Sequence, residues 1–282
     1  MIKVLQSGLY STIQDLGRYG YREFGIPRSG VMDSYAAKLA NLLVGNSENE
    51  AVIELTMLGP KLEFQCDTNI SITGANMSSM INDKVALMNT VIKVSKGDVL
   101  SFGALKTGMR AYLAVSGGIQ SSSVMDSRSM FLNLTEKTSL DKYDVIPIKA
   151  IVKKEKASTA SVKPNYKYLT QMELEVNPGP EFNQLPAETQ DLLVNSIFSI
   201  SKDHNRMGYR LEEMIYNELD QILTSPVLPG TVQLTPSGRI IILMRDAQTT
   251  GGYPRIFQLN ENAINTLAQK KTADKIRFNL IK

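Results

Sequence analysis

The chain has 282 residues, with 31 lysines and arginines against 28 aspartates and glutamates, a formal net charge of +3 and a pI near 8.8. Charges so balanced and spread give no strong field for nucleic acid or anionic lipid, and the length suits two domains with proper cores. One cysteine, Cys66, and one histidine, His204, exclude an internal disulfide framework, leave a zinc or Ser-His-Asp site only those positions to use, and fit a reducing compartment.

Met1 to Leu5 runs at once into Gln6, Ser7 and Gly8, which is not the pattern of a secretory leader. No stretch approaches the ~20 apolar residues that span a bilayer. The expectation is a soluble cytoplasmic protein without a membrane or nucleic-acid partner. The first polar cluster is Thr12-Ile13-Gln14-Asp15-Leu16-Gly17-Arg18-Tyr19-Gly20. Asp15 and Arg18 form a local pair there, or Arg18 offers a planar fork to a carboxylate or phosphate. Gly25-Ile26-Pro27-Arg28-Ser29-Gly30-Val31-Met32-Asp33 then brings a hydroxyl and a carboxylate to a helix start, where free N–H groups favour anions. Ser29 and Asp33 serve equally as plain caps. The helix is predicted over 33–43, with Ala36, Ala37, Leu39, Ala40 and Leu43 on one face and Gly45 past its end.

Short apolar or alternating runs follow, Val52-Ile53-Glu54-Leu55, Ile70-Ser71-Ile72-Thr73 and Val91-Ile92-Lys93-Val94, and they read as strands. Cys66 ends another such run, so a buried inert thiol is expected rather than a nucleophile. Lys96-Gly97-Asp98 and Ser237-Gly238 mark turns. Gly117-Gly118 followed by Ser127-Arg128-Ser129 repeats the pairing of flexible backbone with hydroxyls and a guanidinium. Residues 148–164 are rich in Lys, Ser and Ala without interleaved aromatics and read as a solvated linker. The domains are therefore expected at 1–155 and 165–282. A second helix is predicted over 188–200 and a third over 262–270.

Asn205-Arg206-Met207-Gly208-Tyr209-Arg210-Leu211 sets two arginines four apart, neighbours on a strand face or a helix face alike. Ile240 to Met244 reads as a buried strand, and it leads into Arg245, Asp246, Gln248, Thr249, Thr250, Gly251, Gly252, Tyr253 and Pro254. Charge, then hydroxyls, then flexible backbone at the end of a strand builds a polar pocket on a rigid support, although a tight Gly-Gly turn accounts for the run as well. No Gly-x-x-x-x-Gly-Lys-Ser/Thr, no Gly-x-Gly-x-x-Gly after a strand and no Met-Lys-Met biotin-attachment sequence is present.

Taken together these clusters resemble the allophanate hydrolase subunit 2 family, also called KipA or biotin-dependent carboxyltransferase-like, whose bacterial members include the C subunit of 5-oxoprolinase. The resemblance rests on Ser11 to Arg18, Gly25 to Asp33, Ala40 to Asn46, Glu54-Leu55-Thr56 with Gly59-Pro60, Arg206 to Leu211, and Asp246 to Pro254, in the family's order along nearly the whole chain. Departures are Asn76 and Asn205 where the family has Asp, Asp126 where it has Gly, and Leu134 to Leu140 in place of a glycine-rich stretch.

The resemblance implies a mainly β protein with a few helices, built as two cyclophilin-like β-barrel units. It implies one component of an ATP-dependent 5-oxoprolinase that opens a cyclic amide to glutamate. Its partners would be a KipI-like protein (the B subunit) and a LamB/YcsF-like protein (the A subunit). ATP is then used by the complex, with no cofactor and no metal bound by this chain alone. The alternatives are a regulatory protein that antagonises a KipI-like inhibitor of a sensor kinase, and a carboxyltransferase subunit of a urea-carboxylase-like system. Arg206, Arg210, Asp246, Gln248 and Thr249 are the expected catalytic set, converging on one concave surface lined by Gly251 and Gly252. Gln14, Asp15, Arg18, Ser29, Asn76 and Arg128, with Gly251 and Gly252, are the expected substrate-binding set.

Overall fold

The computed structural model describes residues 1–149 and 164–281, and most of the predicted linker, 150–163, lies outside the described residues. Two compact units divide them: Met1–Arg18 with Asp33–Leu169, and Tyr19–Met32 with Thr170–Lys282. The units are thus not contiguous halves, since the glycine-rich segment 19–32 belongs with the C-terminal one.

In the first unit the chain runs through β1 (Ile2–Gln6), β2 (Tyr10–Gln14), α1 (Ser34–Leu43), β3 (Val52–Thr56), β4 (Lys61–Phe64) and β5 (Thr68–Asn76). Short strands follow: β6 (Met80–Ile81), β7 (Lys84–Val85), β8 (Ile92–Val94) and β9 (Val99–Ser101). The long β10 (Thr107–Val115) and β11 (Val145–Ile146) complete it. These strands form a six-stranded sheet, β11-β1-β4-β9-β6-β7, and a five-stranded sheet, β2-β3-β10-β5-β8. Ile2, Val4, Ile53, Leu55, Leu62, Phe64, Ile70, Ile72, Leu113 and Val115 close their core.

Asp33 caps α1 as its spacing predicts, its Oδ1 accepting from Ala36 N at 3.0 Å. Sheet hydroxyls then reach up to helix carbonyls: Ser71 Oγ donates to Ala40 O at 2.6 Å and Thr73 Oγ1 to Ala36 O at 2.7 Å. The helix is therefore held by hydrogen bonds as well as by its alanine face. Under it Tyr112, fully buried, donates to Glu54 Oε2 at 2.9 Å and accepts from Asp33 N at 2.8 Å. Burial, then the neighbouring carboxylates of Glu54 and Asp33, push the Tyr112 hydroxyl well above its ordinary range.

The second unit contains β12 (Glu173–Pro178), α2 (Ala187–Asn195), β13 (Phe198–His204), β14 (Gly208–Met214), β15 (Ser225–Pro226) and β16 (Thr231–Leu234). β17 (Arg239–Leu243), β18 (Thr250–Gly251), β19 (Arg255–Leu259), α3 (Glu261–Leu267) and β20 (Lys275–Leu280) complete it. Seven of these strands close a barrel in the order β12-β19-β16-β17-β14-β13-β20. The barrel joins parallel β12 and β20 with Leu174 opposite Phe278, while the other recorded pairings are antiparallel. Leu174, Val176, Phe198, Ile200, Tyr209, Leu211, Val232, Leu234, Ile240, Ile242, Phe257 and Phe278 fill it. β15 and β18 stand apart as a two-stranded ribbon of two residue pairs.

The expectation of a mainly β chain with a few helices holds, with three α-helices among the described residues. The predicted helix 188–200 is shorter: α2 ends at Asn195, and Phe198 to Ser201 enter the barrel as strand. The apolar residues Ile197 and Ile200 fit helical spacing, but barrel closure takes Ile200 into a ladder opposite Leu211. No helix among the described residues is long and apolar enough to cross a membrane.

Candidate functional site

The ladder between β14 and β17 continues beyond both strands, with Met244 N bonded to Met207 O and Asp246 N to Arg206 O, each at 2.9 Å. That register sets the Arg206 and Asp246 side chains face to face. Arg206 Nε donates to Asp246 Oδ2 at 2.8 Å and Nη2 to Oδ1 at 3.1 Å, a two-pronged contact with both residues more than nine-tenths buried. Ser29 Oγ donates to the same Oδ1 at 2.7 Å, and Arg206 Nη2 reaches Gly30 O at 2.6 Å. Ser29 is fully buried and held at φ 57, a left-handed conformation that few non-glycine residues adopt. The 19–32 segment is thereby fastened to the barrel at Ser29 and Gly30 by the Asp246 carboxylate and the Arg206 guanidinium.

Arg210 does not join them. It lies four positions along, beside inward-facing Tyr209 and Leu211, so strand alternation turns it outward, where it is exposed and donates to Asp203 O at 3.4 Å. Arg206 itself sits in the turn before β14, so strand periodicity does not relate the two. Asn205 makes that turn, its Oδ1 accepting from Met207 N at 2.8 Å and Gly208 N at 3.2 Å. An amide oxygen serves there as well as a carboxylate.

Gln248 is exposed, and Thr249 is partly buried with its carbonyl accepting from Val227 N at 3.0 Å. Gly251 pairs with Ser225 across the ribbon, and Gly252 O accepts from Ile222 N at 3.0 Å. Arg22 clamps the ribbon by donating to Val227 O and, at 3.3 Å, to Thr249 O. Gly251 therefore belongs to a ribbon strand that Gly252 follows, and the pair does not make a tight two-residue turn.

Beneath it lies a residue that sequence reasoning missed. Gln233 of β16 is 1 % exposed, and its Nε2 is buried without a hydrogen-bond partner. A buried donor left so costs about 1–3 kcal/mol. A lone glutamine in the strand Thr231–Leu234 carries no special spacing, and its one sequence signal is a long polar residue between two barrel-core positions.

In the first unit Gln14, Asp15, Arg18 and Arg128 do come together, with the 124–130 loop. Asp15 Oδ1 accepts from Gly17 N at 2.8 Å, Ser127 Oγ at 2.7 Å and Ser129 Oγ at 2.6 Å, and Oδ2 from Arg128 N at 2.6 Å. Arg18, 1 % exposed, donates to Ser129 O and, at 3.3 Å, to Val124 O. The Arg128 guanidinium donates to Ser121 O, and Gln14 Nε2 to Thr12 Oγ1 at 3.1 Å and Met130 O at 3.2 Å. Asp15 thus organises this loop and does not pair with Arg18 in the recorded contacts. Asn76 ends β5 elsewhere, its Oδ1 accepting from Ser78 N at 3.0 Å. As at Asn205, the oxygen caps a turn.

Cys66 is partly buried, its Sγ 3.4 Å from the N-terminal nitrogen, and His204 Nε2 lies 3.2 Å from Thr272 Oγ1 with its ring 4.8 Å from that of Tyr209. No cluster among the described residues has the His, Cys, Asp and Glu needed to hold a metal. Arg28 stacks on Tyr19 at 4.3 Å, and burial together with nearby Arg245 lowers its pKa.

Residues 24–280 match the model of the carboxyltransferase domain, subdomains A and B. The chain is 36 % identical over 284 residues to the C subunit of 5-oxoprolinase from Escherichia coli K12, covering 99 % of this chain and 90 % of that protein. It is 32 % identical over 295 residues to the corresponding C subunit from Haemophilus influenzae, covering 100 % and 91 %. A stretch of 130 residues, 46 % of this chain, is 45 % identical to urea amidolyase of Lachancea kluyveri and covers 7 % of it. Among solved structures, TTHA0988 superposes with a TM-score of 0.86 at 26 % identity over 99 % of this chain, and the chain spans 55 % of that structure. The Kluyveromyces lactis urea amidolyase gives 0.89 at 27 %, over 100 % of this chain and 19 % of that one.

Proposed function

The chain belongs to the family of carboxyltransferase domains with subdomains A and B, and from that premise we propose that it is the C subunit of an ATP-dependent 5-oxoprolinase. The observation that carries this reading is the likeness to two bacterial C subunits along essentially the whole chain, through both compact units. A lactam is a poor electrophile, so the ring opens once its oxygen is phosphorylated, and ATP is the natural donor. This chain carries no nucleotide motif, which fits an ATP site supplied by KipI-like and LamB/YcsF-like partners. Its own share is to bind and orient the cyclic amide. Arg18, Arg128 and Arg206 act mainly as braces, because protein oxygens engage each of them, and Arg210 is the expected site arginine left exposed for an anionic ligand or partner.

The test is reconstitution. The chain alone should release neither phosphate nor glutamate from 5-oxoproline and ATP, and adding both partners should start turnover. ATP-dependent turnover by the isolated chain would sink the split arrangement. The resemblance of one segment to urea amidolyase favours carboxyl transfer as the second reading. A complex inert toward 5-oxoproline but competent with carboxybiotin would establish it instead.

A further inference from the structure

Val232 and Leu234 point into the barrel, so Gln233 between them points out, beside its ladder partner Ile241. An outward glutamine is ordinarily solvated. Here the ribbon covers it, together with the apolar cluster of Val227, Leu243 and Ala247 on which Ile241 packs. A Cβ at Gly251 would lie 2.6 Å from Gln233 Nε2 and 3.4 Å from Val227 Cγ1. Glycine is therefore what lets the carboxamide approach this strand. Around it the ribbon backbone is bonded: Val227 N donates to Thr249 O, Arg22 donates to the carbonyls of both, and Ile222 N donates to Gly252 O. The Gln233 Nε2 beneath it is buried and makes no hydrogen bond.

We propose that the Gln233 carboxamide is the amide-reading group of the substrate site, taking a cyclic amide beneath the Thr250–Gly251 strand. This rests on the oxoprolinase reading and deepens it. A lactam is locked cis, with its C=O and N–H on the same edge. A primary carboxamide is the complement of that edge: Nε2 donates to the lactam oxygen while Oε1 accepts from the lactam N–H. An open-chain trans amide offers only one of the two at a time, so the pairing selects rings. Low-dielectric walls strengthen both bonds. Entry requires the ribbon strand to lift off Gln233, and a ladder of two residue pairs is among the least costly elements to open.

Two measurements test this. In the reconstituted complex Gln233→Leu keeps the volume and removes the amide. Because Nε2 has no partner in the free protein, Tm should hold or rise, while KM for 5-oxoproline rises about tenfold or more. A lower Tm with unchanged KM would make Gln233 a packing residue and overturn the inference. Separately, the side-chain amide resonance of Gln233 in the full chain, assigned by its loss in Gln233→Leu, is titrated with 2-pyrrolidone and with N-methyl-2-pyrrolidone. A shift with the first and a weaker one with the second is expected. Equal shifts, or none, would refute the two-point pairing. If the complex fails to turn over 5-oxoproline, the functional reading falls, and the titration still judges Gln233.

Discussion

Replacing Arg206 with Met leaves the Asp246 carboxylate buried with Ser29 Oγ as its remaining recorded side-chain donor. The wild-type contact comprises two charge-assisted bonds to Asp246 and one to Gly30 O. Removing one partner of such a buried pair costs about 3–5 kcal/mol, most of it the cost of stranding the other charge. For a unit of this size each kcal/mol moves Tm by about 3–5 °C, so the transition of the second unit should fall by roughly 10–20 °C. Arg206→Met with Asp246→Leu strands no charge, and should recover more than half of that loss, short of wild type because Ser29 Oγ and Gly30 O lose their partners. Scanning calorimetry of the four proteins closes the cycle. A single variant within about 1 kcal/mol of wild type would refute the reasoning, as would a double variant equal to the sum of the singles.

Arg206→Lys keeps the charge but loses the fork, and activity of the reconstituted complex should fall severalfold or more with some loss of Tm. Cys66→Ser and His204→Gln should each leave that activity within about twofold, since neither residue meets the clusters described; a hundredfold loss, roughly 2.7 kcal/mol, would place chemistry there. Glu181 gives a pH signature. Burial pushes its carboxyl up, but hydrogen bonds from Arg255 N at 2.8 Å and the Arg255 guanidinium at 2.8 and 3.0 Å outweigh that and leave its pKa below the ordinary 4.5. A lowered folded pKa contributes stability that is complete above the unfolded value and is lost as pH falls from about 4.5 through the folded one. Glu181→Gln should therefore cost about 1–3 kcal/mol in urea titrations at pH 7, with the gap to wild type narrowing as pH drops below 4.5. A constant gap across that range would contradict the assignment.

The runs at 52–55, 70–73 and 240–244, which overlap β3, β5 and β17, and the capped helix after Asp33 could be read directly, because alternation, β-branching and a capping side chain act over a few residues. The turn at Gly97 and that at Gly238 were legible for the same reason, both glycines taking positive φ. Arg206 and Asp246 were visible as a pair of charged motif residues, but that they bind each other rather than a ligand follows from a register forty residues apart in sequence. Arg210 turned outward because the alternation of β14 begins only at Gly208, a boundary that the spacing of two arginines does not contain. Asn76 and Asn205, read as lost carboxylates, became turn caps once their backbone donors were known. Gln233 shows the limit most plainly. On a strand its outward position predicts solvent, and only the ribbon from residues 225–226 and 250–251 decides that its Nε2 is buried without a partner. Local propensity is written residue by residue along the chain, whereas burial and hydrogen-bond satisfaction depend on which distant backbone arrives to cover a side chain.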